Sequence, residues 1–236
     1  VVCTTAAAKM IRQFFDGMQP THLQTVAEGD ALSLGRHRLT FHTAPMVHWP
    51  EVIVTYDELD GILFSADAFG AFGALSGNIL DDTLDFERDW LPEARRYYHN
   101  IVGKYGSQVK ALLDKASSLD VRTICPLHGP VLRRHIASAM NVYGKWSRYE
   151  PEEQGVLIVC GSVYGHTQNV ADVLAGRLSE LGVSNIVVRD ASVTPSSELL
   201  ADAFRFSHLV VAAATYNAGI FTPVESFLHD LKAHND

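Results

Sequence analysis

Positive charge is scarce in this sequence. Its 236 residues carry 19 Lys and Arg against 27 Asp and Glu, a net charge of −8. That balance disfavours a surface that tracks a phosphate backbone, so no nucleic-acid partner is expected, and it leaves room for a small ligand or a basic protein partner. Cysteine is equally sparse. Cys3, Cys125 and Cys160 form no CxxC pair and no even framework, which favours a reducing, cytoplasmic compartment over a disulfide scaffold. No apolar run approaches the roughly 20 residues of a membrane span, so no membrane segment is expected. The chain opens at Val1 without a basic-then-apolar leader, and both Val1 and Asp236 read as cut ends. GxGxxG and GxxxxGK(S/T) loops are missing, which removes the fingerprints of dinucleotide and Walker-type sites. No HxExDH-type ligand cluster occurs either.

What is present falls into two patterns. In the first, Met10, Ile11, Phe14 and Phe15 share one helical stripe that Gly17 ends, and residues 22–45 alternate as three short strands with turns at Glu28-Gly29-Asp30 and at Gly35. VIVTY and ILFS follow as strands on either side of ELDG, and FGAFGALSGNILDD is a glycine-rich surface loop suited to a lid or an interface. Helices are expected over 89–100, over 107–119 with Ser107 as N-cap and Val109, Leu112, Leu113 and Ala116 inward, and over 131–149. Val121 to Cys125 is a short strand between the last two.

PEEQG at 151–155 reads as a linker. Beyond it, GVLIVC is a near-continuous apolar strand, 168–181 a helix, NIVVRD a strand, 196–203 a helix and HLVVAAATY a third strand. A further helix begins at Pro223. That alternation is the doubly wound parallel layout. Three strands alone would leave an open edge.

Two groups of residues carry chemistry. His48 closes a Pro-containing loop, Asp67 sits just past the end of ILFS, and His128 ends ICPLHGP. Two imidazoles and a carboxylate at three strand ends are suitable donors for iron or zinc, and their wide spacing describes a site assembled by the fold. The set is short of ligands for two ions, and each residue taken singly also fits a surface or capping role. His22, His37 and His42 have no matching carboxylate spacing and read as structural. The second group is Ser162-Val163-Tyr164-Gly165-His166-Thr167, between a buried strand and a helix, where hydroxyls and amides suit a phosphate cradle without Lys or Arg. Thr215-Tyr216-Asn217-Ala218-Gly219 ends the third strand at the same sheet edge, where Tyr216 is placed to cover a planar ring. Together the two loops suggest flavin mononucleotide.

The ordered set APMVHWPE, LFSADAFG, ICPLHGP, GSVYGHTQNVA and ATYNAGIF resembles the flavodiiron proteins, or A-type flavoproteins, over essentially the whole chain. The resemblance implies an α/β architecture: the C-terminal part of a metallo-β-lactamase-like αββα sandwich over 1–150, then the first part of a flavodoxin-like domain over 155–236. It implies that His48, Asp67 and His128 are iron ligands, with Asp67 bridging two irons. Residues 162–167 would hold the FMN phosphate, and 215–219 would border its ring. It further implies reduction of O₂ to water or of NO to N₂O, electrons supplied by a rubredoxin-like or other redox donor protein, and a head-to-tail homodimer or tetramer. The family's HxExDH cluster and third flavin loop have no counterpart here. Trp49 and Phe69 are expected beside the metal pocket. Two other readings are a metal-dependent hydrolase of the β-lactamase-like class and an FMN electron carrier with a vestigial metal site.

Overall fold

Short alternating strands separated by glycine turns pair with their sequence neighbours, and this arrangement governs the first half of the chain. The computed structural model describes residues 1–17, 19–75 and 77–234. The chain divides into two units, Val1–Arg148 and Tyr149–Asp236. Residue 76 of the expected 69–82 loop, and the final residues 235–236, lie outside the described residues.

The first unit opens with β1 (Val2–Cys3), which pairs with β2 (Gln24–Thr25), and α1 (Thr5–Phe14) between them. Its main sheet holds β3 (Ala31–Leu34), β4 (His37–Thr43), β5 (Ile53–Asp57), β6 (Ile62–Ala66) and β7 (Thr123–Pro126), in that order. The first four are antiparallel hairpin neighbours. β7 lies parallel to β6, because the chain between them crosses over through α2 (Leu91–Tyr97) and α3 (Gly106–Ala116). Gly61 makes the β5–β6 turn with φ +64°, and an added Cβ there would lie 2.7 Å from the Asp120 carbonyl oxygen, so this position requires glycine twice over. Val54, Tyr56, Leu63 and Ile124 point to one face of the sheet and pack with Trp90, Ala94, Tyr98, Val109, Leu112, Tyr143 and Trp146 of the helical layer. Phe64, on the alternate phase of β6, is 46% exposed.

The second unit holds β8 (Glu153–Gly161), β9 (Ile186–Asp190) and β10 (Phe206–Ala213) as a parallel sheet ordered β10-β8-β9. α5 (His166–Glu180) packs on one face over Val156, Ile158 and Cys160. α6 (Ser196–Arg205) and α7 (Thr222–His234) cover Leu157 and Val159 on the other. A small hairpin, β11 (Thr215–Tyr216) and β12 (Gly219–Ile220), follows β10.

Several expectations change. The stripe on α1 is not a core face: only Ala8 of that helix is buried, and Phe14 and Phe15 are 76% and 61% exposed. Ser107 does not cap α3, which begins at Gly106, and its hydroxyl donates to Gln108 instead. The segment 86–105 is a continuous helical run with a π turn on either side of α2 and a 3₁₀ turn at its end. Helix α4 spans Ile136–Trp146 and does not begin at 131. Leu132 pairs in extended form with Ile124, and the amides of residues 133–135 are taken by the Asp81 carboxylate, so no helical ladder starts there. β8 begins at Glu153, inside the expected linker.

The end of β4 is tied down by one carboxylate. Glu28 accepts from the Thr43 amide at 2.8 Å, the Thr43 hydroxyl at 2.6 Å and the Lys115 ammonium at 2.6 Å, with His42 Nδ1 at 3.2 Å. Lys115 also donates to the Thr43 carbonyl at 2.7 Å. Burial works against ionisation of Glu28, but these donors outweigh it and hold the carboxyl at about 2 against an ordinary 4.5. A depressed carboxylate pKa stabilises the fold above the unfolded value, and that contribution disappears as pH falls through the folded value. Glu28→Gln therefore lowers thermal stability at pH 7 by on the order of 1 kcal/mol, since the pair is partly exposed. Denaturation scans of the two proteins converge between pH 4.5 and about 2.

Candidate functional site

Strand direction brings three of the expected residues to one edge of the main sheet. β4 runs out to Thr43 and β5 returns from Ile53, so the 44–52 loop lies where β6 ends at Ala66 and where parallel β7 ends at Pro126. His48 sits in that loop, which is closed by Ala44 N to Val52 O at 2.9 Å and Met46 N to Trp49 O at 2.7 Å, with Val47 fully buried beneath it. Asp67 heads a tight turn in which the Ser65 hydroxyl donates to Ala68 O at 2.7 Å. Phe69, two residues on, is fully buried against Tyr143, with ring centroids 4.5 Å apart. His128 follows the Leu127 amide, which donates to Ala66 O at 2.8 Å.

The three side chains converge. His48 Nε2 lies 3.5 Å from Asp67 Oδ2, and His128 Nε2 lies 3.5 Å from Asp67 Oδ1. Each oxygen of one carboxylate thus faces a different imidazole. His128 Nδ1 is 3.1 Å from the Ala71 carbonyl, which can only accept, so that nitrogen carries a proton and Nε2 is directed at Asp67. Gly70 allows this approach: a Cβ there would lie 2.6 Å from His128 Cε1. Of the two residues expected beside this site, Trp49 is half exposed next to His48, whereas Phe69 belongs to the core.

Tyr97 was not singled out from the sequence. It meets His128 edge-on, with ring centroids 4.5 Å apart, and its buried hydroxyl has no hydrogen-bond partner among the described residues. Burial, then the Asp67 charge, push its phenol well above the ordinary range. Nothing in the 89–100 pattern marks which of the adjacent tyrosines reaches the sheet edge.

A second grouping, His37, Asp57 and Asp60, offers three ligand atoms within 4.8 Å of one another and could hold a metal ion. It lies at the opposite end of the strands, at the start of β4 and the β5–β6 turn. Asp57 there accepts from Leu59 N at 3.1 Å and pairs with His37 Nδ1 at 2.8 Å, so it also closes that turn. Burial opposes ionisation of Asp57, but His37 and the amides of Leu59 and Asp60 together outweigh it and lower its pKa.

In the second unit, Ser162, Val163, Tyr164, His166, Thr167, Ala214, Thr215, Tyr216 and Asn217 line one cavity of about 320 Å³ at the C-terminal edge of the parallel sheet. The lining contains no Lys, Arg, Asp or Glu. Ser162 Oγ is buried without a partner among the described residues. Gly165 takes φ +85°, which turns the chain into α5 with nothing near its missing Cβ. Asn217 and Ala218, both at positive φ, form the two-residue turn between β11 and β12. Gly165, Ala218 and Gly219 shape the loops without lining the cavity. A phosphate fits these observations: an unpaired hydroxyl and the free amides of a helix start supply donors, and the cavity has no competing anion.

The profile of the ODP family β-lactamases matches residues 1–129. Among curated proteins, the chain is 29% identical over 214 residues to the anaerobic nitric oxide reductase flavorubredoxin of Vibrio vulnificus, covering 89% of this chain and 43% of that protein. It is 30% identical over 198 residues to diflavin flavoprotein A 1 of Synechocystis, covering 81% and 34%. Among solved structures, it resembles rubredoxin oxygen:oxidoreductase from Desulfovibrio gigas, with a TM-score of 0.89 at 26% identity over 99% of this chain and 58% of that one. It also resembles the flavodiiron protein of Giardia intestinalis, with a TM-score of 0.91 at 25% identity over 99% and 56%. The chain spans half or less of the curated relatives it matches. Its architecture is metallo-β-lactamase-like plus flavodoxin-like.

The His128 contact makes a direct spectroscopic prediction. Nitrogen NMR of the iron-free protein will show His128 with a proton on Nδ1. A ring protonated on Nε2 alone would contradict the contact with Ala71.

Proposed function

This chain belongs to the ODP β-lactamase family, in the A-type flavodiiron group, and we propose that the protein it represents reduces O₂ to water or NO to N₂O at a non-haem di-iron centre fed through FMN. The observation that carries the reading is the Asp67 carboxylate with one imidazole at each oxygen. Two imidazoles facing the two oxygens of one carboxylate would suit a pair of ions, which His48, Asp67 and His128 would help to hold. The assignment is therefore His48 and His128 as terminal iron ligands and Asp67 as the bridge. The metal domain occupies 1–150 as the later part of an αββα sandwich, and a preceding part supplies the remaining ligands. The exposed Phe14 and Phe15 and the exposed Phe64 support that reading, since a further layer would cover such apolar side chains.

The FMN domain occupies 155–236 as the first part of a flavodoxin-like sheet. Ser162 to Thr167 hold the phosphate, and Thr215 to Gly219 border the ring. When bound, iron supplies the open coordination positions and the reducing equivalents, and FMN relays electrons to it. The protein's own residues position and exclude. Ala71 fixes the His128 tautomer, Tyr97 walls one side of that imidazole, and Ser162 offers its unpaired hydroxyl to the phosphate. A rubredoxin-like donor and a head-to-tail homodimer complete the proposal. No helix among the described residues is long and apolar enough to cross a membrane.

A β-lactamase-like hydrolase would need no flavin cradle, and a simple FMN carrier would have no use for three converging metal donors. Full-length protein, assayed for iron and flavin together, separates the three. Iron with FMN is the expected result. Asp67→Asn will lose most of the iron and retain FMN, since the two sets of residues lie in different units. Zinc without flavin, or FMN with no metal in the wild type, would overturn the proposal.

A further inference from the structure

Asp81 is a buried carboxylate to which neither the metal nor the flavin reading gives a role. It is 1% exposed. Its Oδ1 accepts from the amides of Arg133 at 2.9 Å and Arg134 at 3.1 Å. Its Oδ2 accepts from the amide of His135 at 2.8 Å and lies 3.2 Å from His135 Nδ1. Those three amides are consecutive and lead directly into α4, which has no side-chain cap of its own. An uncompensated buried carboxylate is costly, and this one is compensated mainly by three consecutive backbone amides.

That stretch begins at His128. Asp81 N donates to Val131 O at 3.0 Å, and Val131 N donates to Ile79 O at 2.8 Å, so residues 79–81 are stitched to the chain three residues after His128. At the other end of the same loop, Ala71 O receives His128 Nδ1, and Gly129, at φ +86°, lies so close that its Cβ would fall 3.0 Å from Ala71 N. The loop therefore leaves Asp67, touches His128, and is anchored again at Asp81. Neighbouring contacts brace the anchor: His135 stacks on Phe86 with centroids 4.9 Å apart, and Arg133 pairs with Asp82. The His48 loop is held by different partners, namely its own turn bonds and the Glu28–Lys115 tie at Thr43.

We propose that Asp81 is a positioning residue for His128 and sets the separation of that imidazole from Asp67 without influencing His48. The inference rests on the metal reading given above. Removing the carboxylate loosens one side of the site only. Asparagine cannot replace it: whichever way its amide turns, its NH₂ meets at least one backbone N–H, donor against donor.

Cobalt titration of the iron-free full-length protein, followed by the visible bands of bound Co²⁺, tests this. His128→Ala identifies which binding step belongs to His128. In Asp81→Asn, that step weakens roughly tenfold, the scale usual for partners that orient a ligand, and the His48 step moves less than about twofold. Asp82→Asn, which removes a carboxylate that pairs with the Arg133 side chain but accepts from none of the three amides, leaves both steps in place. Equal weakening of both steps, or no change in either, overturns the proposal. Should Asp81→Asn not fold, Asp81→Ser decides: its short hydroxyl keeps one acceptor at the site but cannot hold all three amides. Weakening confined to the His128 step then supports the proposal, and unchanged binding overturns it. If the wild type binds no Co²⁺ at these residues, the metal reading itself has failed.

Discussion

One carboxylate shared by two imidazoles is the constraint on which the first unit depends. Asp67 reaches both partners because three chain segments, far apart in sequence, stop at the same edge of one sheet. Strand polarity decides this. Were β7 antiparallel to β6, His128 would lie at the other edge, near His37 and Asp57, and no shared carboxylate would be possible. The parallel pairing in turn needs the long helical crossover between residues 67 and 122, which also supplies most of the core. Building the core and placing the ligands are therefore consequences of the same topology.

Two separate sets of polar contacts then fix the loops. Glu28 and Lys115 hold the end of β4 before His48, and Asp81 holds the chain after His128. Glu28 is satisfied by one amide and three side chains, and Asp81 by three amides and one ring, so each ties down its own loop. Between them, Phe69 anchors the Asp67 turn into an aromatic core that includes Tyr98, Tyr143 and Trp146. A ligand flanked by a fully buried aromatic has little freedom to leave its position, because removing such a ring from the core costs about 3–5 kcal/mol. The second unit uses a different device. Its cavity is lined by neutral groups, and its unpaired Ser162 hydroxyl and helix start supply what an anion needs.

Much of this was legible in the residues. Alternation marked β3 and β4, the runs VIVTY and ILFS on either side of a turn marked β5 and β6, and the continuous apolar run GVLIVC identified β8 as a buried parallel strand. His48, Asp67 and His128 stood at strand ends, and the structure brings those three together. The loops at 162–167 and 215–217 likewise meet at one cavity. What stayed hidden depended on partners distant in sequence. The 131–135 segment has helical composition, yet Ile124 and Asp81 claim its backbone. The α1 stripe has core periodicity, yet Met10 and Ile11 are only partly buried and Phe14 and Phe15 are exposed. Tyr97 and Asp81 carry no local signal at all, because their roles exist only once the crossover has returned the chain to the sheet edge.

Anomalous diffraction at the iron edge, from crystals of the full-length protein, addresses the shared carboxylate most directly. The expected map has two peaks on either side of Asp67, one beside His48 Nε2 and the other beside His128 Nε2, each near its own carboxylate oxygen. A single peak there, or peaks only at His37, Asp57 and Asp60, would contradict the account.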